Sequence, residues 1–241
     1  MIDKIITLDC DWAPDFILEN VAKILQKYNV KSTWFITNDS PIIEQIKKSN
    51  LFELGIHPNF NINSTQGKNP DDVLNNLTSL IPNATSIRTH SLFQSSNILE
   101  KFQNYGLKND SSIFLPNTPE IIPHYLKYFN LMRFPYYWED DHQMLINSSN
   151  WSINDFDSTF NGLKIFNFHP IHIYLNSMDY RKYESLKNKY NLQSITEENI
   201  KDFIEYDSIG SGTFFSDLIK SISSEKTLTL NEFSELYAQN L

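Results

Sequence analysis

Residues 5–11 read Ile5-Ile6-Thr7-Leu8-Asp9-Cys10-Asp11, a short apolar, β-rich run that closes on two carboxylates one residue apart. The segment from Pro14 to Tyr28 then places Phe16, Ile17, Val21, Ile24 and Leu25 at helical spacing, so the chain opens as strand, loop, helix. The unit recurs. Ser32-Thr33-Trp34-Phe35-Ile36 reads as a second strand, and Pro41 to Ser49 as a helix with Ile42, Ile43 and Ile46 on one face. Glu53-Leu54-Gly55-Ile56 is a strand ending at His57, followed by a polar loop and a helix from Asp71 to Leu80. Ser86-Ile87-Arg88 is the next strand, ending at His90, and Asn130 to Phe134 and Lys164 to Phe168 supply later ones. From Leu175 the pattern turns mostly helical, with helices expected over 180–190, 197–204 and 214–222. Such βα alternation predicts a parallel sheet covered by helices, as an open doubly wound sheet or a closed barrel. No internal repeat or linker divides it, so residues 1–241 are expected to form a single domain with a mostly helical part at 175–241.

With 17 Phe, 12 Tyr, 4 Trp and 40% hydrophobic residues, the chain can bury a full core, which excludes disordered and fibrous classes. A net charge of -9 gives no electrostatic reason to expect nucleic acid or an anionic membrane as partner. Asp3, Lys4 and Asp9 interrupt the apolar start, so neither a signal peptide nor a membrane span is read there, and a cytoplasmic location is expected. Cys10 is the single cysteine, which excludes an intramolecular disulfide and a cysteine-based zinc site. Any metal must then be held by His and carboxylate.

In parallel α/β proteins, functional groups collect at the carboxyl ends of the strands. Asp9, Asp11, His57, Arg88, His90 and His169 all fall just past expected strand ends. Two acids one residue apart can face differently, leaving one to bind a metal and the other free as a general base. The competing reading is that they cap the following helix. Neighbouring carboxylates would raise the pKa of Cys10, which argues against a nucleophilic thiol.

Several segments carry a resemblance to a known family. Ile6-Thr7-Leu8-Asp9-Cys10-Asp11-Trp12 resembles the first motif of the polysaccharide deacetylases (NodB homology, carbohydrate esterase family 4-like). Leu54-Gly55-Ile56-His57 is similar to that family's metal-binding His segment, and Arg88 to the Arg of its third motif. Phe134-Pro135-Tyr136-Tyr137-Trp138-Glu139-Asp140-Asp141 resembles the acidic, Trp-bearing fourth, and Phe166-Asn167-Phe168-His169 the closing strand that delivers a catalytic His. The segments occur in the family's order from residue 6 to about 172, and they look closest to a divergent cytoplasmic subset with surface-polysaccharide roles.

The resemblance implies a distorted (β/α) barrel of about seven parallel strands. It implies Asp9 as general base, Asp11 and His57 as metal ligands, Arg88 as the residue orienting the base, and His169 as general acid. An acid of the Asp140 and Asp141 pair, taken as Asp140, would support the site. The family's second metal His, four residues after the first, is here Asn61, a poor zinc ligand. His90, past the end of the next strand, is the residue placed to take that position, and an isolated His-Pro such as His57-Pro58 is usual in the subset. The expected cofactor is a divalent metal, zinc first, with Mn, Co or Fe also compatible.

The implied activity is removal of an acyl group, N-acetyl first, from a sugar or sugar conjugate in lipopolysaccharide or capsule biosynthesis. The substrate would be a small molecule or glycan, including a nucleotide- or lipid-linked sugar. Two other readings remain open: a sugar-binding or scaffolding protein that has lost the metal, and a metal-dependent hydrolase of a non-sugar amide. Trp12, Tyr136 and Trp138, with Tyr137, are candidate walls for stacking a sugar ring, and each is equally explained as core. His172, three residues after His169, is a second candidate for the acid or a contact to substrate or loop. Ser208-Ile209-Gly210-Ser211-Gly212-Thr213 reads as a helix start that could also cradle a phosphate.

Overall fold

A computed structural model describes residues 4–116, 118–146, 151–153 and 162–239. Its strands are β1 (Lys4–Asp9), β2 (Ser32–Ile36), β3 (Phe52–Ile56), β4 (Ser86–Ile87), β5 (Asn109–Asp110), β6 (His124–Leu126), β7 (Leu131–Arg133), β8 (Trp138–Glu139) and β9 (Lys164–Phe168). They form one sheet in the order β6-β7-β5-β4-β3-β2-β1-β9-β8, parallel except for β6, which runs antiparallel to β7.

The two ends of that order meet in one stretch of chain. Leu131 to Glu139 starts alongside β5, where Phe134 N–H donates to Asp110 O at 2.8 Å. It finishes alongside β9, where Tyr137 N–H donates to Ile165 O at 2.9 Å. Between these, Tyr136 bridges Phe114, and Pro135, which has no N–H to give, lies where the chain passes from one neighbour to the other. Seven parallel strand positions therefore close into a distorted (β/α) barrel.

Helices cover the outside: α1 (Asp15–Lys27), α2 (Pro41–Lys47), α3 (Pro70–Leu80), α4 (Ser96–Asn104), α5 (Asp140–Leu145), α6 (Pro170–Leu175), α7 (Tyr180–Lys189), α8 (Glu197–Ile200), α9 (Ser211–Ile222) and α10 (Leu230–Ala238). Side chains alternate along each strand, so one set packs under the helices and the other fills the barrel. Leu8, Trp34, Ile56 and Phe166 belong to the outer cluster, with Val21, Leu74 and Phe214 from the helices. Ile5, Phe35, Phe134, Tyr136 and Ile165 fill the interior. Gly55 is required there, because a Cβ would lie 2.9 Å from the Phe35 ring and 2.7 Å from Ser86 O.

The amino-terminal mouth of the barrel is plugged by α10. Leu230 and Phe233 enter the interior cluster, Leu230 N–H donates to Thr33 Oγ1 at 2.9 Å, and Asn231 N–H donates to Glu53 Oε2 at 2.9 Å. The opposite mouth carries the polar residues. No described helix is long and apolar enough to cross a membrane.

Candidate active site

The backbone ladder continues a residue or two past the strands and fixes the functional side chains. Cys10 N–H donates to Phe35 O, His57 N–H to Ile36 O, Arg88 N–H to Ile56 O and His90 N–H to Pro58 O, all at 2.8–3.1 Å. Asp11 and Trp12 then adopt φ of 39° and 57°, and Ser91 and Leu92 φ of 53° and 52°. Side chains rarely take this left-handed conformation, and consecutive pairs of it persist only where the surroundings over-determine them. Both pairs lie in the turns that present Asp11 and His90 to a common point.

Asp11 Oδ1 lies 3.2 Å from His57 Nε2 and 3.2 Å from His90 Nδ1, and the two ring nitrogens are 3.4 Å apart. Bonds of about 2.0–2.1 Å in tetrahedral geometry put neighbouring ligand atoms about 3.3 Å apart, so the triangle fits three ligands of one divalent ion. Asp11 Oδ1 is buried and makes no hydrogen bond, a cost that a cation would remove. Burial pushes the Asp11 carboxyl up, but the facing His57 and His90 outweigh it and hold it well below the usual carboxylate range. Three protein ligands with open positions remaining is the pattern of a catalytic rather than a structural zinc site.

Asp9 does not join the triangle. It faces the barrel axis, where Arg88 Nη1 donates to its Oδ1 at 3.0 Å and Asn167 Nδ2 to its Oδ2 at 2.9 Å. Burial alone would raise its pKa, and the Arg88 guanidinium, with His57 and His169, brings it below the ordinary value. Arg88 is wholly buried between the rings of Phe35 and Tyr136, 4.6 and 4.5 Å from their centroids, and donates through Nε and Nη2 to Ser111. It also donates to Thr7 and to Asn167 Oδ1.

His169 approaches from β9, with Nε2 3.7 Å from Asp11 Oδ2 and 4.0 Å from Asp9 Oδ2. Its Nδ1 lies 2.7 Å from Asp140 Oδ1, and its backbone N–H donates to Asp140 Oδ2 at 2.9 Å. Burial disfavours the charged ring, but Asp141 and Asp140 beside it push its pKa well above the ordinary value. Asp9, Asp11, His57, His90 and His169 thus share one cleft of about 390 Å³, with Glu139, Asp141 and Tyr180 on its wall. Glu139 is pushed up to about 7, chiefly by burial, with His169 opposing and Asp141 and Asp9 reinforcing the rise.

A family model for WbmS-like polysaccharide deacetylases matches residues 6–187. The chain belongs to this family. A structure from Bordetella bronchiseptica, described as a polysaccharide deacetylase (WbmS) involved in O-antigen biosynthesis, is 32% identical, with a TM-score of 0.78 over 90% of each chain. One from Mycobacterium smegmatis, described as a polysaccharide deacetylase, shares the fold at 13% identity and a TM-score of 0.61, covering 100% of this chain and 91% of that one. No curated protein matches the sequence.

In this polysaccharide deacetylase, three of the expected substrate contacts lie elsewhere. Tyr136 is fully buried inside the barrel under Arg88, and Trp138 is buried outside it, stacked 4.6 Å from Phe214. Neither can form a wall for a sugar, because both rings are used by the core. His172 is 2% exposed and sits behind the site, its Nε2 3.1 Å from Asp141 Oδ1 and its ring edge-on to Tyr183. It has no route to a substrate. Trp12 is half-exposed and lies beside the cleft, edge-on to His90 at 5.4 Å.

The loop 208–213 is a helix start. Ser211 N–H donates to Ser177 O, Gly210 N–H to Thr213 Oγ1 and Thr213 N–H to Asn176 Oδ1, so these donors are already engaged. Ser211 Oγ also donates to Asp140 Oδ2 at 3.1 Å, which ties α9 to the carboxylate behind His169. Sequence reasoning had no role for Asn167, Thr7, Glu139 or Gln66. Asn167 had a signal: an amide set two residues before His169, between Phe166 and Phe168, points to the same side of the strand as His169.

Proposed function

We propose that the protein is a metal-dependent hydrolase that removes an acyl group, N-acetyl first, from a sugar of a surface glycan under construction. The observation that supports it most directly is the Asp11–His57–His90 triangle with Asp9 and His169 on adjacent sides of the same cleft. Asp11, His57 and His90 would hold the metal, which when bound supplies Lewis acidity for polarising the acyl carbonyl and easing deprotonation of water. Asp9, kept ionised by Arg88 and Asn167, accepts the proton of the attacking water. His169, kept protonated by Asp140, donates to the leaving nitrogen, so amide and water become amine and carboxylic acid with no covalent enzyme intermediate. Trp12 offers the aromatic face for the sugar. The glycan-biosynthesis context follows the Bordetella relative, and the reading places the reaction in the cytoplasm.

Purified protein, prepared without added metal, is expected to carry close to one equivalent of zinc, manganese, cobalt or iron. It should release acetate from acetamido sugars, with His57→Ala and His90→Ala losing both properties. Wild-type protein that neither holds nor takes up a metal would overturn the reading.

A further inference from the structure

The metal triangle uses Oδ1 of Asp11, and the other oxygen of that carboxylate, Oδ2, lies 3.7 Å from His169 Nε2. Glu139, Asp141 and His169 in turn each offer one ligand atom within 4.8 Å of the others. Four donors from the ends of β1, β8 and β9 thus line the same cleft as the triangle without belonging to it. His169 is held as a metal-bound imidazole usually is: its Nδ1 lies 2.7 Å from the buried carboxylate of Asp140, which leaves Nε2 as the free nitrogen. Asp141 Oδ1 is buried and finds no well-aligned donor, His172 Nε2 at 3.1 Å included.

The charges around His169 favour a cation. Arg88 pairs with Asp9, and an ion in the triangle would neutralise Asp11, but Glu139, Asp140 and Asp141 remain. Among the described residues lining the cleft, none is Lys or Arg. Carboxylates this close together and this far from water repel one another, and a divalent ion between them would remove that cost. The set is wider than the triangle. Neighbouring ligands of one ion stand about 3.0–3.3 Å apart and opposite ones about 4.2 Å, so these side chains must draw in by roughly half an ångström, at the expense of affinity.

We propose that Asp11, Glu139, Asp141 and His169 form a second divalent-cation site, filled only after the Asp11–His57–His90 site, and that an ion bound there inhibits the enzyme. Three oxygens and one nitrogen suit manganese or iron. Asp11 would bridge the two ions, Oδ1 to one and Oδ2 to the other, on the order of 4 Å apart. The second ion takes the Nε2 lone pair at which His169 must carry its proton, so excess metal stops delivery of that proton to the leaving nitrogen. The inhibition rests on the hydrolase reading, whereas the site can be tested by metal binding alone.

Metal-free protein is titrated with Mn²⁺ by equilibrium dialysis, and electron paramagnetic resonance spectra are recorded at one and two equivalents. Wild-type protein is expected to take two ions, the second bound roughly tenfold or more weakly, with the six-line spectrum of the first giving way to a broadened, magnetically coupled one. Glu139→Gln and Asp141→Asn keep the side-chain shapes and should each weaken the second ion by a further factor of roughly ten while leaving the first in place. Acetate release from N-acetylglucosamine and its β-1,4-linked tetramer should rise through the first equivalent and fall through the second, and the fall should move to higher metal in both variants. Fewer than two equivalents in the wild type, two ions without magnetic coupling, a second ion indifferent to both substitutions, or a rate that climbs with the second ion would each overturn the proposal. If two coupled ions bind and neither occupancy releases acetate, the second site stands and the hydrolase reading fails.

Discussion

Asp140 grips His169 at two points, accepting its backbone N–H at 2.9 Å and lying 2.7 Å from its ring Nδ1. The carboxylate is itself wholly buried and takes a further hydrogen bond from Ser211, so the imidazole is fixed in orientation and directs Nε2 into the cleft. The relationship makes Asp140 a positioning residue rather than a group that meets substrate. Asp140→Asn removes the charge that favours imidazolium and offers N–H where an acceptor is needed. The expected result is a fall in kcat of roughly 10²–10⁴-fold. Bound metal should stay at the wild-type level, because the triangle of Asp11, His57 and His90 does not touch Asp140. Loss of the metal along with activity would show that Asp140 acts on the whole site instead.

Arg88 is the second buried charge whose partner is fixed. Replacing it with Met keeps volume between Phe35 and Tyr136 but strands Asp9 without its ion pair and leaves Thr7, Ser111 and Asn167 short of a donor. Removing one partner of a buried pair costs about 3–5 kcal/mol. Chemical denaturation should therefore show a loss of that order for Arg88→Met, and a difference under 1 kcal/mol would mean that water reaches Asp9.

Glu53 lies at the other mouth, accepting from Thr33, Ser86 and the amide of Asn231 at the start of α10. Burial raises its carboxyl above the ordinary 4.5, although each of these hydrogen bonds pulls it back. With a folded pKa above the unfolded one, the protonated form is the one favoured by folding. Its contribution is complete below about pH 4.5 and is lost as pH rises through the folded value. Glu53→Gln cannot titrate, so the stability of wild type minus variant should decline from pH 4 upward and then level off. A difference independent of pH would refute the shift.

Trp138 separates packing from recognition. Its ring lies against Phe214 at 4.6 Å and Phe168 at 4.8 Å, and Trp138→Ala should cost about 3–5 kcal/mol in denaturant unfolding. Sugar affinity, measured on protein that remains folded, should not change. For Trp12→Ala the pattern reverses, with little stability lost and affinity reduced.

How far the sequence could be read follows from where its signals are strong. Strands β1, β2, β3 and β9 were legible because each is five or six residues of buried, mostly apolar chain flanked by polar turns, and their carboxyl ends correctly located Asp9, His57 and His169. Strand β5 was not, since two residues, Asn109 and Asp110, carry no periodicity and are held by neighbours instead. The crossing from β7 to β8 was equally hidden, because a stretch that pairs with different strands at its two ends looks like a loop around Pro135. Helix α10 is amphipathic, but nothing local says that its apolar face enters a barrel mouth. Residue type and strand-end position singled out Asp9, Asp11, His57, His90 and His169, which share one cleft, while burial was not legible: Tyr136, Trp138 and His172 have suitable chemistry and are covered by tertiary packing.

Gln66 shows the same limit from the other side, being a residue of an Asn- and Ser-rich loop that no motif marks. Its side chain is buried, Nε2 donating to His57 O at 3.0 Å and to Thr37 O at 2.7 Å, while Oε1 accepts Asn59 N–H at 2.5 Å. One amide thus joins the backbone that carries His57 to the residue whose hydroxyl holds Trp12. Gln66→Leu would leave two carbonyls and an N–H without partners, at about 1–3 kcal/mol for each group that water cannot reach. On the proposed reading, the looser His57 should weaken metal binding by roughly 10–100-fold, as loss of an outer partner commonly does. Gln66→Glu keeps the size but sets a carboxylate against both carbonyls, so it should do no better than Leu. Metal titrations of the two variants against wild type decide the matter: affinity retained in Gln66→Leu despite lowered stability would confine Gln66 to holding the loop.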